Sequence, residues 1–269
     1  MPDRIEITIL GCGSSGGVPR IGNDWGACDP QNPKNRRLRC SILVERFGAE
    51  GTTTVLIDTG PDLRQQLLSA NIGDVDAVLY THAHADHLHG IDDLRMIAIR
   101  HKKHVPVFMD ETTYERATAA FDYCFRTPEG SSYPPIMERH AMTAGEPVEI
   151  TGAGGALTFL PVEVVHGEIN ALGFRFHGAG YLPDVSDIPA RAIAPLSGLD
   201  VLILDCLRRT PHPSHFHLDA TLTWQNRLAP GHCITTNMHN DLDYDTLARE
   251  LPTSVEPAFD GMKLTLPTG

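Results

Sequence analysis

Residues 75–90 read VDAVLYTHAHADHLHG, an apolar run that ends in His82, His84, Asp86 and His87. Neutral imidazole and carboxylate are ligands for zinc, manganese and iron. Four donors so close in sequence cannot all reach one ion with good angles. The spacing therefore predicts two ions, one held by His82 and His84 and the other by Asp86 and His87. Each ion needs further ligands, and a shared carboxylate would tie the pair together. His166 in LPVEVVHG, Asp184 in GYLPDVSD and His239 in CITTNMHN stand ready at three other strand ends. Two ions about 3.5–4 Å apart generate hydroxide near neutral pH and clamp a displacement at phosphorus or carbon.

Such donors must be positioned by a layered scaffold. Short β-type runs fall at Ile5–Leu10, Ser41–Arg46, Thr54–Asp58, Ala77–Tyr80, Val105–Met109, Leu157–Val165, Leu172–Phe176, Val201–Asp205 and Ile234–Thr236. Helical periodicity fits Asp62–Ala70, Ile91–Arg100, Thr112–Phe125, Pro189–Leu196, Asp219–Leu228 and Tyr244–Leu251. Strands interleaved with helices point to an α/β layered fold with its site in loops at one end of the sheet. No shift of composition divides the chain, so residues 1–269 are expected to form one domain. The polar stretch Arg126–Pro135 reads as a loop or lid.

The glycines of ILGCGSSGGVPR pose a rival possibility. Gly11, Gly13 and Gly16 have the G-x-G-x-x-G spacing of dinucleotide-binding loops, which work only when a helix follows and receives the pyrophosphate. Here Val18-Pro19 and a Gly, Asn and Asp-rich stretch follow, and no helix is expected.

Composition narrows the function further. The net charge is −12, and KNRRLR (34–39) is the one basic run, which reads as a solvated loop; large nucleic acids are poor partners for such a chain. The six cysteines are scattered without a C-x-x-C pair, as expected of reduced thiols. Cys12, inside the glycine loop, reads as a small packing residue. No apolar run reaches membrane-spanning length, and MPDRIEITIL lacks the basic start and long apolar core of a signal peptide, so a cytoplasmic location without a membrane partner is expected.

The T-H-x-H-x-D-H-x-x-G pattern of Thr81–Gly90, together with GCGSSGGVP, RCSILVE, LIDTGPDLR, SHFHLDATL and FDGMKLTL, resembles metallo-β-lactamase-fold hydrolases, and most of all the PhnP-like phosphodiesterases. The resemblance spans nearly the whole chain. It implies an αββα sandwich carrying two divalent ions, zinc or manganese, and a homodimer. It places His82, His84 and His166 on the first ion and Asp86 and His87 on the second, with Asp184 bridging and Asp187 as the competing bridge. Asp58 would support the metal loops, and His215 would reach substrate and protonate the leaving oxygen. Asp86, Asp184 and His215 are thus the candidate catalytic residues.

Two positions depart from the pattern. PhnP-like enzymes often hold a structural zinc on three N-terminal cysteines and a late histidine. Here only Cys28 stands in that loop and Asn240 replaces the histidine, so no structural zinc is expected. Asn237 falls where the last ligand should be, which makes His239, two residues on, the expected donor. The implied reaction is hydrolysis of a small phosphodiester, such as a ribosyl 1,2-cyclic phosphate or a 2',3'-cyclic nucleotide. A tRNA 3'-processing nuclease, a thioester or lactone hydrolase and a non-catalytic metal- or nucleotide-binding protein are the alternatives.

Overall fold

The computed structural model describes residues 3–266. Strands β1 (Arg4–Gly11), β2 (Ser41–Phe47), β3 (Thr52–Ile57), β4 (Ala77–Leu79), β5 (Val105–Met109) and β6 (Met137–Ala141) join β14 (Lys263–Leu266) in one sheet, ordered β14-β1-β2-β3-β4-β5-β6. The second sheet runs in reverse order from β13 (Val255–Pro257) through β12 (His232–Thr236), β11 (Val201–Asp205), β10 (Ala179–Leu182), β9 (Ile169–Phe176) and β8 (Gly155–His166) to β7 (Val148–Gly152).

Period-2 alternation explains the layers, because successive strand side chains face opposite sides of a sheet. Ile5, Ile7, Ile9, Ile42, Val44, Val55 and Ile57 point inward and meet Phe159, Phe174, Phe176, Tyr181, Ile203 and Ile234 of the other sheet. Their neighbours Leu10, Leu43, Leu56, Val78 and Tyr80 point outward, under α1 (Leu63–Ala70) and α3 (Arg95–His101). Likewise Leu182, Leu202 and Leu204 face Ala192 and Leu196 of α5 (Ala190–Leu196) and Leu228 of α6 (Leu218–Leu228). Strands apolar on both faces are what a sheet covered on both sides requires. The result is the expected αββα sandwich. Three further helices are α2 (Ala85–Leu88), α4 (Glu111–Phe125) and α7 (Tyr244–Glu250).

β3 to β6 run parallel, as do β10 to β13. The carboxyl ends of β3, β4, β10, β11 and β12 deliver Asp58, the Thr81–His87 segment, Asp184, Asp205 and Asn237 to one edge of the sandwich. The Arg126–Pro135 stretch connects α4 to β6, and Pro134 and Pro135 lie beside Ile99 and Lys102, apart from that edge.

After Gly11 no helix follows. The chain forms isolated bridges instead, pairing Gly13 with Arg39 and Met238 and Val18 with Arg37, and then a single 3-10 turn at Pro33–Asn35. The glycines serve close packing. A Cβ on Gly11 would lie 2.0 Å from the carbonyl oxygen of Arg39, and one on Gly13 2.9 Å from Cβ of Arg37. Since the obstacle at Gly11 is backbone, Gly11→Ala is expected to destabilise the protein by about 3 kcal/mol, the top of the usual overpacking range. Chemical denaturation of both proteins measures this, and a loss below about 0.5 kcal/mol would refute the packing role.

Candidate metal centre

Asp58 organises the edge. It is fully buried at φ +66, and its Oδ1 accepts from the Thr81 N–H (2.8 Å). Its Oδ2 accepts from the Thr81 hydroxyl (2.8 Å) and from Nδ1 of His87 (2.8 Å). A carboxylate only accepts, so Nδ1 of His87 carries a proton, and in the neutral imidazole Nε2 is then the lone pair. That Nε2 is buried without a well-aligned hydrogen bond, 3.2 Å from Oδ1 of Asp184 and 3.6 Å from Oδ2 of Asp86.

The other histidines are set in the same way. With the Thr81 hydroxyl proton given to Asp58, its oxygen accepts from Nδ1 of His82 (3.0 Å). Nδ1 of His166 donates to the Ser214 carbonyl (2.7 Å). Both Nε2 atoms are therefore unprotonated, and they approach Nδ1 of His84 to 2.9 and 3.2 Å. Oδ2 of Asp184 lies 3.6 Å from Nε2 of His82 and 3.4 Å from Nε2 of His166. One ligand atom from each of His82, His84, His166 and Asp184 falls within 4.8 Å of all the others. Tetrahedral zinc with bonds of about 2.0–2.1 Å would set such atoms about 3.3 Å apart. Converging lone pairs and carboxylate oxygens at that spacing fit a divalent cation, and Nε2 of His87 lies beside them, facing oxygens of Asp184 and Asp86.

The electrostatics agree. Burial pushes the pKa of His82 well down and that of His166 down, keeping both as neutral ligands. Burial also opposes charge on His87, but Asp184 and Asp58 outweigh it and raise its pKa well above the ordinary value. Burial would raise Asp184 too, yet His87 and His82 outweigh it and hold the carboxyl well below its usual range. The two carboxylates thus demand positive charge at His87, which a bound metal would supply.

Asp205, which no motif spacing marks in the sequence, ends β11 fully buried. Its Oδ2 accepts from Nδ1 of His215 (2.8 Å) and from the Val185 N–H (3.0 Å). Burial raises Asp205 to about 7; burial lowers His215, but the adjoining carboxylate outweighs it and raises the imidazole. The two form a hydrogen-bonded acid–imidazole pair at the floor of the site. The His215 ring packs on His166, with 4.6 Å between centroids, and faces the same cavity. The available signal was a carboxylate closing the apolar run VLILD.

The last expected donor is placed differently. The structure does not bring His239 to the cluster: its N–H donates to the Leu207 carbonyl, and Asp241 is the one carboxylate among the described residues within 4.0 Å of its ring nitrogens (3.6 Å). Asn237, turned inward by a left-handed backbone (φ +60), reaches the site instead. Its amide donates to Oδ1 of Asp184 (3.1 Å) and Oδ1 of Asp205 (3.2 Å). Asp187, the competing bridge, is exposed and pairs with Val165 through its backbone.

The basic run is also not a solvated loop. Arg37 is 1% exposed and donates to the carbonyls of His239 (3.0 Å) and Leu242 (2.6 Å), with the Cys28 sulfur 3.9 Å away. Arg39 pairs with Asp62 at 2.8 Å, and Arg36 lies over Trp25. Asn240 donates to Asp24 (3.0 Å). Cys12 is buried and its thiol pKa is pushed well above the ordinary value by burial, which suits packing and not attack.

A cavity of about 490 Å³ opens over this edge, lined by His84, Asp86, His166, Asp184, His215 and Asn237, with Arg20 and Arg208 also on its wall. Among the described residues no helix is long and apolar enough to cross a membrane.

Comparison with known proteins places this geometry in context. The Beta-lactamase superfamily domain matches residues 53–238. The crystal structure of a diphosphatase from the PhnP family superposes with a TM-score of 0.87 at 38% identity, covering 98% of this chain and 97% of that one. Zn(2+)-bound PqqB from Methylobacterium extorquens superposes with a TM-score of 0.71 at 16% identity over 96% of this chain and 99% of that one, a likeness of fold alone. An octanoyltransferase of Porphyromonas gingivalis (strain ATCC BAA-308 / W83) is 29% identical over 264 residues, 96% of this chain. The chain spans about half (51%) of that curated relative.

Proposed function

Because the chain belongs to the β-lactamase superfamily, as a PhnP-like hydrolase of that fold, we propose that it is a two-metal phosphodiesterase acting on a small, cyclic phosphodiester. A ribosyl 1,2-cyclic phosphate or a 2',3'-cyclic nucleotide is the substrate class. The observation that carries the proposal is the Asp205–His215 pair, whose imidazole lines the same cavity as the histidine and carboxylate cluster while its carboxylate is buried behind it. Two ions bound there would neutralise phosphate oxygens and make water a nucleophile at neutral pH.

The chain's own residues do the rest. Asp205 accepts from Nδ1–H of His215 and favours its charged form, in which Nε2–H is free to pass its proton to the leaving alkoxide. Asn237 ties the carboxylates of Asp184 and Asp205 together, so the bridge and the acid keep their relative places. Arg20 and Arg208 offset the net charge of −12 locally, which favours an anionic substrate. The global charge opposes long RNA.

The test is an assay of zinc- or manganese-loaded protein on bis(p-nitrophenyl) phosphate, 2',3'-cyclic AMP, a lactone, an octanoyl thioester and a precursor tRNA. Both diesters are expected to turn over and the other three to be inert. Rapid lactone or thioester opening with no diester cleavage would overturn the proposal.

A further inference from the structure

The two halves of the donor cluster are chemically unlike. On one side three imidazole nitrogens, from His82, His84 and His166, meet a single oxygen of Asp184. On the other, Nε2 of His87 is the lone imidazole nitrogen and faces oxygens of Asp184 and Asp86. The place beside Oδ1 of Asp184 where a further imidazole would complete this half is taken by the Asn237 amide. That amide either donates its N–H to the carboxylates or, flipped, offers an oxygen; in neither orientation does it supply an imidazole nitrogen. His239 lines the same cavity but is not among the converging donor atoms, and its Nδ1 lies 3.6 Å from Asp241.

Donor type sets metal preference. Imidazole-rich sites suit zinc, whereas carboxylate and amide oxygens suit manganese and magnesium. Zinc still outranks manganese at any such site, so the difference is one of degree. We propose that the two positions are unequal: the three-histidine position holds zinc tightly, while the Asp86–His87–Asp184 position binds its ion weakly, discriminates little against manganese and exchanges readily. Asn237 is the residue that sets this inequality. Both positions are those of the proposed function, and the inequality rests on its two-ion part but not on its substrate.

The experiment titrates metal-free full-length protein with zinc against a chelator of known affinity. Protein holding one equivalent of zinc is then titrated with manganese(II) and followed by electron paramagnetic resonance and elemental analysis. The second zinc is expected to bind at least ~10-fold more weakly than the first. Manganese beside diamagnetic zinc is expected to give the six-line signal of an isolated bound ion. Asn237→His should tighten the second zinc by ~10-fold or more and displace the manganese signal. Two zinc ions of equal affinity in the natural protein would overturn the inequality alone, whether or not the variant folds. A folded Asn237→His protein with an unchanged second affinity would remove Asn237 as its cause. Failure to bind any second ion would overturn both the inequality and the two-ion centre.

Discussion

Replacing Asp184 with alanine is expected to abolish diester hydrolysis and to weaken metal binding at both positions by more than ~100-fold. This carboxylate reaches both halves of the cluster, through Oδ2 to His82 and His166 and through Oδ1 to His87. No other described carboxylate lies within 4.0 Å of all three rings. The sign of its pKa shift also matters. Its folded pKa is depressed well below the unfolded value, so the carboxylate stays charged throughout the neutral range. Its stabilising contribution is present above the unfolded pKa and fades only as pH falls through the folded one. Metal loss on acidification should therefore follow protonation of the histidines, not of Asp184. Elemental analysis of the purified variant checks the first expectation; two retained ions would remove Asp184 as the bridge.

His215→Ala is expected to lower kcat on a diester with a poor leaving group by about 10²–10⁴-fold while both ions remain bound. Retention is expected because His215 spends Nδ1 on Asp205 and is not among the atoms that converge on the cluster. As an acid it must be protonated, and its folded pKa is raised because Asp205 outweighs burial. Activity should accordingly hold up to that raised pKa and fall as pH rises through it. Asp205→Asn removes the carboxylate, so the alkaline limb should move to lower pH; in His215→Ala it should vanish. With an activated leaving group such as p-nitrophenolate the His215 deficit should shrink, since little proton donation is needed. Loss of metal from His215→Ala would instead make it a ligand.

What the sequence shows of this molecule follows how local each signal is. The central strands were legible because β1, β3 and β11 alternate apolar residues toward two covered faces. The peripheral strands β6 (MERHA), β7 (VEITG), β13 (VEP) and β14 (KLTL) escaped notice, being short and partly exposed, with little apolar pattern to read. The Ile91–Arg100 periodicity was helical but resolves into a 3-10 turn at Ile91–Leu94 followed by α3.

The site divides along the same line. His82, His84, Asp86 and His87 announce themselves within one hexapeptide, and the structure gathers them. Asp205 and Asn237 acquire meaning only when parallel strands bring them beside His215 and Asp184, 10 and 53 residues away in sequence. The choice between Asn237 and His239 turns on one left-handed residue, which spacing cannot report.

Arg37 carries a consequence for how this edge is held. Its guanidinium clasps the carbonyls of His239 and Leu242, and so pins the very turn that presents Asn237. A guanidinium keeps its proton at any physiological pH. Unlike a cysteine-bound zinc, this clasp cannot be drawn off by a chelator or undone by oxidation. The turn that carries Asn237 is thus held by a charge of the chain itself, and keeps its shape without a metal or a disulfide to tie it.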